Sequence, residues 1–441
     1  MARSLTAPAA LAVPAALAFM AACTGGNGTR ENPSAMNPLA EQYVKLVLRV
    51  GVHDAGYVDA YYGPAEWAGE ADAAPGTLPE LREEGERLLA ALGEVALPSG
   101  ADEMARLRYG YLTRQLESVV ARIDLIEGAE LSFDEESLAL YDAVAPTNDE
   151  AYFQALTEAI GEALPGNGPL HQRYAAFRQE FVIPTELLDT MFTAAIAACR
   201  ERTARYIDLP VEESFTVEYV TDKPWSGYNW YQGGNRSLIQ VNTDFPIYID
   251  RAIDLACHEG YPGHHVYNAM LESQLTAGRG WVEFSVYPLF SPQSLIAEGS
   301  ANYGIEMAFP GTERVEFERT ELFPLAGIDA ARADEYYRVQ DLVSQLGYAG
   351  NEAARAYLDG AIDADAAAEW LSRYALMAPD RAAQRVRFID TYRSYVINYN
   401  LGQDLVRAYV EREAGADASE GERWAVFTEL LSSPRLPSDL Q

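Results

Sequence analysis

Three of the five histidines in this chain fall within eight residues, in the segment His258-Glu-Gly-Tyr-Pro-Gly-His264-His265. Imidazole is the side chain that most often binds a transition metal, and neighbouring histidines can share one ion. A glutamate beside a ligand histidine, as Glu259 is here, can take a proton from a metal-bound water. The segment therefore predicts a divalent metal, with Glu259 as the general base of a hydrolase.

The spacing of these histidines differs from the usual helical pair, in which two histidines four residues apart share one face. Here Pro262 occupies the fourth position after His258. On a regular helix His264 and His265 would lie roughly 9 and 10.5 Å along the axis from His258. Because Pro262 cannot donate to the carbonyl of His258, we expect the helix to open there and return a later histidine. We favour His264 as the second ligand and keep His265 as the alternative.

Catalytic zinc usually has three protein ligands and one water, so a third ligand is needed. The best candidate is Glu298, in a later segment with helical spacing. Asn302 follows on the same helix face and is placed to orient a ligand histidine by a hydrogen bond. Small residues would let this helix approach another closely: Gly299, Ser300, Ala301 and Gly304.

These segments and two others resemble the domain of unknown function 885 family, a bacterial group in the gluzincin-like metallopeptidase superfamily. The matching segments are His258 to His265, Glu298-Gly-Ser-Ala-Asn-Tyr303, Tyr399-Asn-Leu-Gly402 and residues 53–64. The resemblance covers most of the chain. It implies a largely α-helical fold, a divalent metal, expected to be zinc, and a peptidase-like activity, but no particular substrate.

The chemistry expected of these residues is hydrolysis of a peptide bond. One Zn²⁺ would be bound by His258, Glu298 and one histidine of the pair His264 and His265. The ion would activate a water, and Glu259 would pass the water's proton to the leaving amine.

Other side chains are candidates for holding the substrate. Tyr399 is the expected oxyanion donor, with Tyr261 and Tyr303 as alternatives. A group of arginines before Tyr399 could receive a terminal carboxylate, although exposed positions on a helix are the commoner explanation for them: Arg385, Arg387 and Arg393.

Most of the chain has helical spacing, broken at Gly and Pro clusters. The predicted helices are 37–58, 79–92, 101–124, 149–163, 170–181, 185–206, 291–308, 330–346, 364–375, 382–411 and 420–431. Alternating residues at 215–220 and 238–243 predict strands, with a turn at 233–235. We expect a mainly α, gluzincin-like fold of two packed helical lobes. A small β-hairpin beside the motif helix could bind an extended peptide along 238–243.

The N-terminus predicts export. Residues 1–22 read as a lipoprotein signal peptide that ends before Cys23, and residues 23–37 as a flexible tether. A single metallopeptidase-like domain would then span 38–441. We expect Cys23 to be lipidated and to anchor the protein in the bacterial cell envelope. An ordinary secretory signal is the alternative.

Net charge and the remaining cysteines and histidines give further expectations about binding partners and structure. A net charge of −33 makes nucleic acid an unfavourable partner. We expect Cys199 and Cys257 to be buried free thiols, although export would permit a disulfide. The isolated His53 and His171 are expected to be structural or surface residues.

The sequence thus favours a lipid-anchored zinc peptidase acting on a peptide. One alternative is an envelope lipoprotein that binds metal or peptide without turnover. Another is a metal-dependent hydrolase of a different amide or ester. Glu259 favours an enzyme, because a site that only traps metal needs no base beside its ligand.

Overall fold

Helices make up most of the described chain, which in this computed structural model comprises residues 35–97 and 101–441. Many begin at a residue whose side chain accepts a hydrogen bond from the first turn, as Asp102 and Asp149 do. The helices before the sheet are α1 (Asn37–His53), α2 (Ala65–Ala73), α3 (Leu78–Gly93), α4 (Glu103–Ile126), α5 (Phe133–Tyr141), α6 (Glu150–Ala163), α7 (Leu170–Gln179) and α8 (Leu188–Thr203). Those after it are α9 (Asp250–Leu255), α10 (His264–Leu271), α11 (Pro292–Ala308), α12 (Glu313–Phe317), α13 (Phe323–Leu325), α14 (Ala333–Ser344), α15 (Ala349–Leu358), α16 (Ala364–Tyr374), α17 (Pro379–Tyr392), α18 (Ile397–Ala414) and α19 (Glu420–Leu431).

Two of the predicted helices have wrong boundaries. The first ends at His53 rather than at residue 58, and the one predicted over 382–411 is two helices, α17 and α18. The break lies at Arg393, which has a positive φ of 51°. The buried carboxylate of Glu136 accepts hydrogen bonds from the Arg393 side chain and from the backbone N–H of Ser394. This contact is distant in sequence, so no local signal marks the break.

The strands are β1 (Val58–Tyr61), β2 (Ser214–Val220), β3 (Gly227–Gly233), β4 (Arg236–Asn242) and β5 (Val286–Pro288). Both predicted strands exist, as β2 and β4, but they run parallel to each other. The hairpin partner of β4 is β3, which was not predicted, and the order in this sheet is β2-β4-β3. The expected peptide-binding edge on β4 is therefore wrong, because β4 is the central strand.

Helix α11 contributes to two large hydrophobic cores. Leu295 belongs to the core that includes α1, α3 and α4, whereas Ile296 belongs to the core that includes α8 to α10. On the same helix, a Cβ added to Gly299 would lie 2.4 Å from the carbonyl of Gly402 in α18. Only glycines allow this close approach of α11 and α18, which explains Gly299 and Gly402. The mainly α fold with a small sheet near the histidine segment is confirmed.

Cys199 and Cys257 form a disulfide, with their Cα atoms 5.7 Å apart. The expectation of free thiols is wrong, because α8 packs directly against the turn that carries Cys257. The bond ties the residue next to His258 to a helix 58 residues earlier in the chain.

Replacing both cysteines by serine is expected to lower the free energy of unfolding by about 4 kcal/mol, from the loop entropy that the bond removes. Urea unfolding of the double variant, beside the wild type with and without reductant, measures this. The reduced wild type should resemble the variant. An unchanged unfolding midpoint in both would contradict a stabilising bond.

Several sequence-based predictions lie outside the described residues. Among them are the signal peptide at 1–22, lipidation of Cys23 and the tether up to residue 34. Within residues 35–97 and 101–441, no helix has the length and apolar character needed to cross a membrane.

Candidate metal centre

The histidine segment is an interrupted helix. Helix α9 continues into one π-helical turn, Ala256–Gly260, after which Tyr261 is extended and α10 begins at His264. The N–H of Gly263 donates to the carbonyl of Cys257 at 2.9 Å, which closes the turn. The predicted opening of the helix at Pro262 is thus confirmed. As a result, His264 at the start of α10 lies beside His258 in the π turn.

Three side chains meet at this turn. The Nε2 atoms of His258 and His264 are 3.2 Å apart. The Oε2 atom of Glu298 lies 3.3 Å from the Nε2 of His258 and 3.7 Å from that of His264. With metal bonds of about 2.1 Å, tetrahedral geometry puts neighbouring ligand atoms about 3.4 Å apart. The donor spacing therefore fits a single ion.

The tautomer of His258 also fits a metal. Its Nδ1 lies 3.0 Å from Oδ1 of Asn302, whose Nδ2 in turn donates to the carbonyl of Tyr399 at 3.0 Å. Because the amide oxygen can only accept, Nδ1 of His258 donates this hydrogen bond, which leaves Nε2 as the ring nitrogen that could bind an ion. The predicted hydrogen bond between Asn302 and a histidine of the cluster is therefore present, and its role in orienting a metal ligand stays a prediction.

Replacing Asn302 with alanine is expected to weaken metal binding about 10- to 100-fold, because the ring of His258 loses its fixed orientation. A competition titration against a chelator of known affinity measures the change. Asn302→Asp keeps an acceptor toward Nδ1 but loses the donor to the carbonyl of Tyr399, so it should keep clearly more affinity than Asn302→Ala. Equal affinity in Asn302→Ala would show that the turn alone orients the ring.

Glu298 has a buried carboxylate in which one oxygen accepts a hydrogen bond and the other does not. Oε1 accepts a hydrogen bond from the hydroxyl of Tyr395 at 2.7 Å, whereas the buried Oε2 has no hydrogen-bond partner and faces the two histidines. Burial would raise the pKa of Glu298, but His258 and His264 outweigh it and hold that pKa well below its usual range. An ionised carboxylate oxygen without a partner is what a cation would satisfy.

The surrounding charges favour a positive charge at the same point. Burial lowers the pKa of His264, but the carboxylate of Glu298 outweighs burial and, with Glu259 and Asp59, raises that pKa to about 9. Asp59 reaches the site from β1 and accepts a hydrogen bond from Tyr228. Burial raises its own pKa to about 6. A divalent ion bound here would replace the extra proton and be stabilised by the same carboxylates.

The side chain of Glu259 is buried beside the ligands but is not used by the fold. Its backbone carbonyl accepts from Nδ2 of Asn229 at 2.7 Å, and a Cβ on Gly227 would lie 2.6 Å from its Oε1. The carboxylate accepts no hydrogen bond from any side chain or N–H in the described ranges. It can therefore accept from a water held next to His258.

His265 is not part of this cluster, so its place among the candidate ligands is corrected. It is fully buried, with Nδ1 2.9 Å from Oγ of Ser237 and Nε2 3.0 Å from Oε2 of Glu213. Both ring nitrogens are thus occupied. Glu213 also accepts from the hydroxyl of Tyr261, which removes that tyrosine as an oxyanion donor.

The other tyrosines divide between the site and its surroundings. Tyr303 packs its ring against Phe427 and lies near Arg407, on the side of α11 where α19 and α18 pack. Burial raises the pKa of Tyr399, and the charges of Glu298 and Glu259 raise it further. The role of Tyr399 as an oxyanion donor stays a prediction. Tyr395, which the sequence reasoning missed, lies in the 3₁₀ turn before α18, with its ring 5.8 Å from that of Tyr399.

Comparison with solved structures finds chains of similar fold. A predicted lipoprotein from Colwellia psychrerythraea, 14% identical, has a TM-score of 0.50 over 80% of this chain and 69% of its own. A protein named CHT, 11% identical, has a TM-score of 0.50 over 91% of both chains. An M32 carboxypeptidase from Deinococcus radiodurans R1, 12% identical, has a TM-score of 0.37 over 90% and 89%. No family model and no curated protein matches the chain.

The similarity to the first two proteins extends over most of this chain, but at such identities it concerns the fold alone. The chemistry is therefore argued from the residues of this chain.

Proposed function

We propose that the protein is a zinc-dependent peptidase. The observation that carries this proposal is the convergence of two imidazole nitrogens and one unpartnered carboxylate oxygen within 3.7 Å of one another. Two histidines and one glutamate form a known ligand set of catalytic zinc, and they leave a fourth position open for water. The unpaired carboxylate of Glu259 beside them favours turnover over mere binding.

When bound, zinc would lower the pKa of a water and polarise the scissile carbonyl. Glu259 takes the proton of that water and returns it to the leaving amine. Tyr395 holds Glu298 in place through its hydroxyl. Tyr399 donates to the oxygen on which negative charge develops.

A peptide substrate has a docking edge at β3. In the sheet this strand pairs with β4 alone, β1 packs close to it without pairing, and Gly227 at its start lies against Glu259. The N–H of Asn242 donates to the carbonyl of Ser226. In an antiparallel pair only every second residue directs its N–H and C=O groups to the partner strand. The N–H and C=O groups of Gly227 and Asn229 therefore point away from β4. An extended peptide added there would pass directly beside the base.

We also place the protein outside the cytoplasm, held in the cell envelope by a lipid on Cys23. The signal sequence motivates this, and the disulfide between Cys199 and Cys257 supports it, since such bonds persist in oxidising compartments.

The proposal is tested by metal loading and a mixed peptide library. We expect one zinc per chain by elemental analysis, cleavage that chelation abolishes, and recovery with one equivalent of zinc. His258→Ala should lose metal and activity. His171→Ala should keep both, because His171 lies on α7 and is not part of the cluster. A zinc-loaded protein that cleaves nothing would establish the binding role instead, and a wild type without stoichiometric metal would disprove the site.

A further inference from the structure

Arg385 is a cation without a partner in an acidic protein. The chain has 66 acidic residues against 33 basic ones, and most of its arginines form ion pairs. Arg385, half-buried on α17, makes neither an ion pair nor a hydrogen bond with any residue in the described ranges. Its guanidinium lies only against aromatic rings, 4.4 Å from that of Phe388 and 5.9 Å from that of Tyr399. A half-buried charge left in this state is unfavourable unless something else binds it.

Two tyrosines, Tyr399 and Tyr395, connect Arg385 to Glu298. The ring of Tyr399, next to Arg385, is 5.8 Å from the ring of Tyr395, whose hydroxyl donates to Glu298. The negative charges of Glu298 and Glu259 raise the pKa of Tyr399 beyond the effect of burial, and Arg385 opposes them. Tyr399 therefore contacts both Arg385 and the tyrosine that holds Glu298.

A second unpaired arginine lies one helical turn before the first. Arg381 has its guanidinium 4.1 Å from the ring of Phe245, in the segment that follows β4. It donates to Gln384 but to no carboxylate side chain among the described residues. The side chain of Arg381 is exposed overall, but desolvation of its guanidinium lowers its pKa, and the charges of Arg251 and Arg385 lower it further against the opposing charge of Asp380. Three arginines thus share one region, and one of them, Arg251, donates to the hydroxyl of Ser226 just before the edge strand β3.

We propose that Arg385 and Arg381 bind the terminal carboxylate of the substrate, so that the enzyme removes residues from the C-terminal end of a peptide. This inference rests on the proposed function. Guanidinium groups bind carboxylates through paired, charge-assisted hydrogen bonds, and such a ligand would supply the partner that Arg385 lacks.

The reaction needs only water as co-reactant. The C–N bond of the last peptide unit breaks and a C–O bond forms to the water oxygen. The water's proton passes through Glu259 to the nitrogen of the released amino acid, whose carboxylate stays with the two arginines until it leaves.

The other two arginines named from the sequence have different positions. Arg393 donates to the buried Glu136 and stabilises the break between α17 and α18. Arg387 is exposed on α17. It is therefore the matched control for a charge change on the same helix.

The test compares one peptide in two forms, with a free C-terminus and with a C-terminal amide. The wild type should cleave the free acid at least 100-fold more efficiently, releasing the last residue. Arg385→Gln should lower kcat/KM for the free acid about 10- to 100-fold, mainly through KM, and affect the amide much less, so that the acid-to-amide ratio falls. Arg381→Gln should act in the same direction. Arg387→Gln should change neither substrate.

Each other outcome decides against the carboxylate site or against the enzyme. Equal cleavage of acid and amide, or an unchanged acid-to-amide ratio in Arg385→Gln, overturns the inference and leaves a peptidase in place. A preference for peptides with acidic side chains, whatever their terminus, overturns the terminal assignment and gives the arginines a side-chain role. No cleavage of any peptide by the zinc-loaded wild type overturns the proposed function itself.

Discussion

Replacing Glu259 with glutamine is expected to lower kcat for peptide hydrolysis by roughly 10²- to 10⁴-fold, the usual contribution of a general base, while the protein keeps its zinc. Glutamine has the same shape as glutamate, and the carboxylate of Glu259 accepts no hydrogen bond that the fold needs, so the turn around Gly227 should be preserved. Steady-state kinetics and elemental analysis of the same preparation measure both quantities.

The matched control is Glu306→Gln. Glu306 lies on α11, the helix that carries Glu298, but its side chain is exposed and accepts hydrogen bonds from Gln403 and Arg407. Its removal should leave kcat unchanged. Undiminished cleavage by Glu259→Gln would mean that another carboxylate acts as the base, and Asp59, which feels the charges of His264 and Glu259, would be the candidate to test next. Loss of zinc in that variant would instead make Glu259 a ligand.

The sequence predicted the metal cluster but left one choice between neighbours open. Pro262 requires a break after His258, and the break returns the chain toward that residue. Which histidine then faces Glu298 depends on tertiary contacts, because His265 is drawn away by Ser237 and Glu213. These partners come from two different parts of the sheet region, and no spacing within the motif specifies them.

The errors in the fold have the same origin. Helices were predictable because their apolar positions repeat within a few residues, and strands β2 and β4 because their residues alternate. The parallel pairing of β2 with β4 and the bond between Cys199 and Cys257 join distant parts of the chain. Such pairings depend on packing between elements, which a local pattern does not encode.

Gly263 is the position in the histidine segment where a side chain larger than hydrogen cannot fit. A Cβ added there would lie 1.8 Å from the carbonyl oxygen of His258 and 2.5 Å from that of Cys257. Both are backbone atoms, so no side-chain rotation can relieve the overlap. Either the π turn or the start of α10 must move, and each movement separates His258 from His264.

Gly263→Ala is therefore expected to lose at least about 3 kcal/mol of unfolding free energy and to bind zinc more than 100-fold more weakly. Urea unfolding and a chelator competition measure the two effects. The matched control is Gly69→Ala in α2, where an added Cβ meets nothing within 4 Å, and which should gain about 0.5 to 1 kcal/mol and keep its zinc. A Gly263→Ala protein with full stability and affinity would show that the two histidines meet without this closely packed turn. Because the wild-type cluster needs both histidines within 3.2 Å of each other, the zinc affinity should fall even in any fraction of the variant that folds.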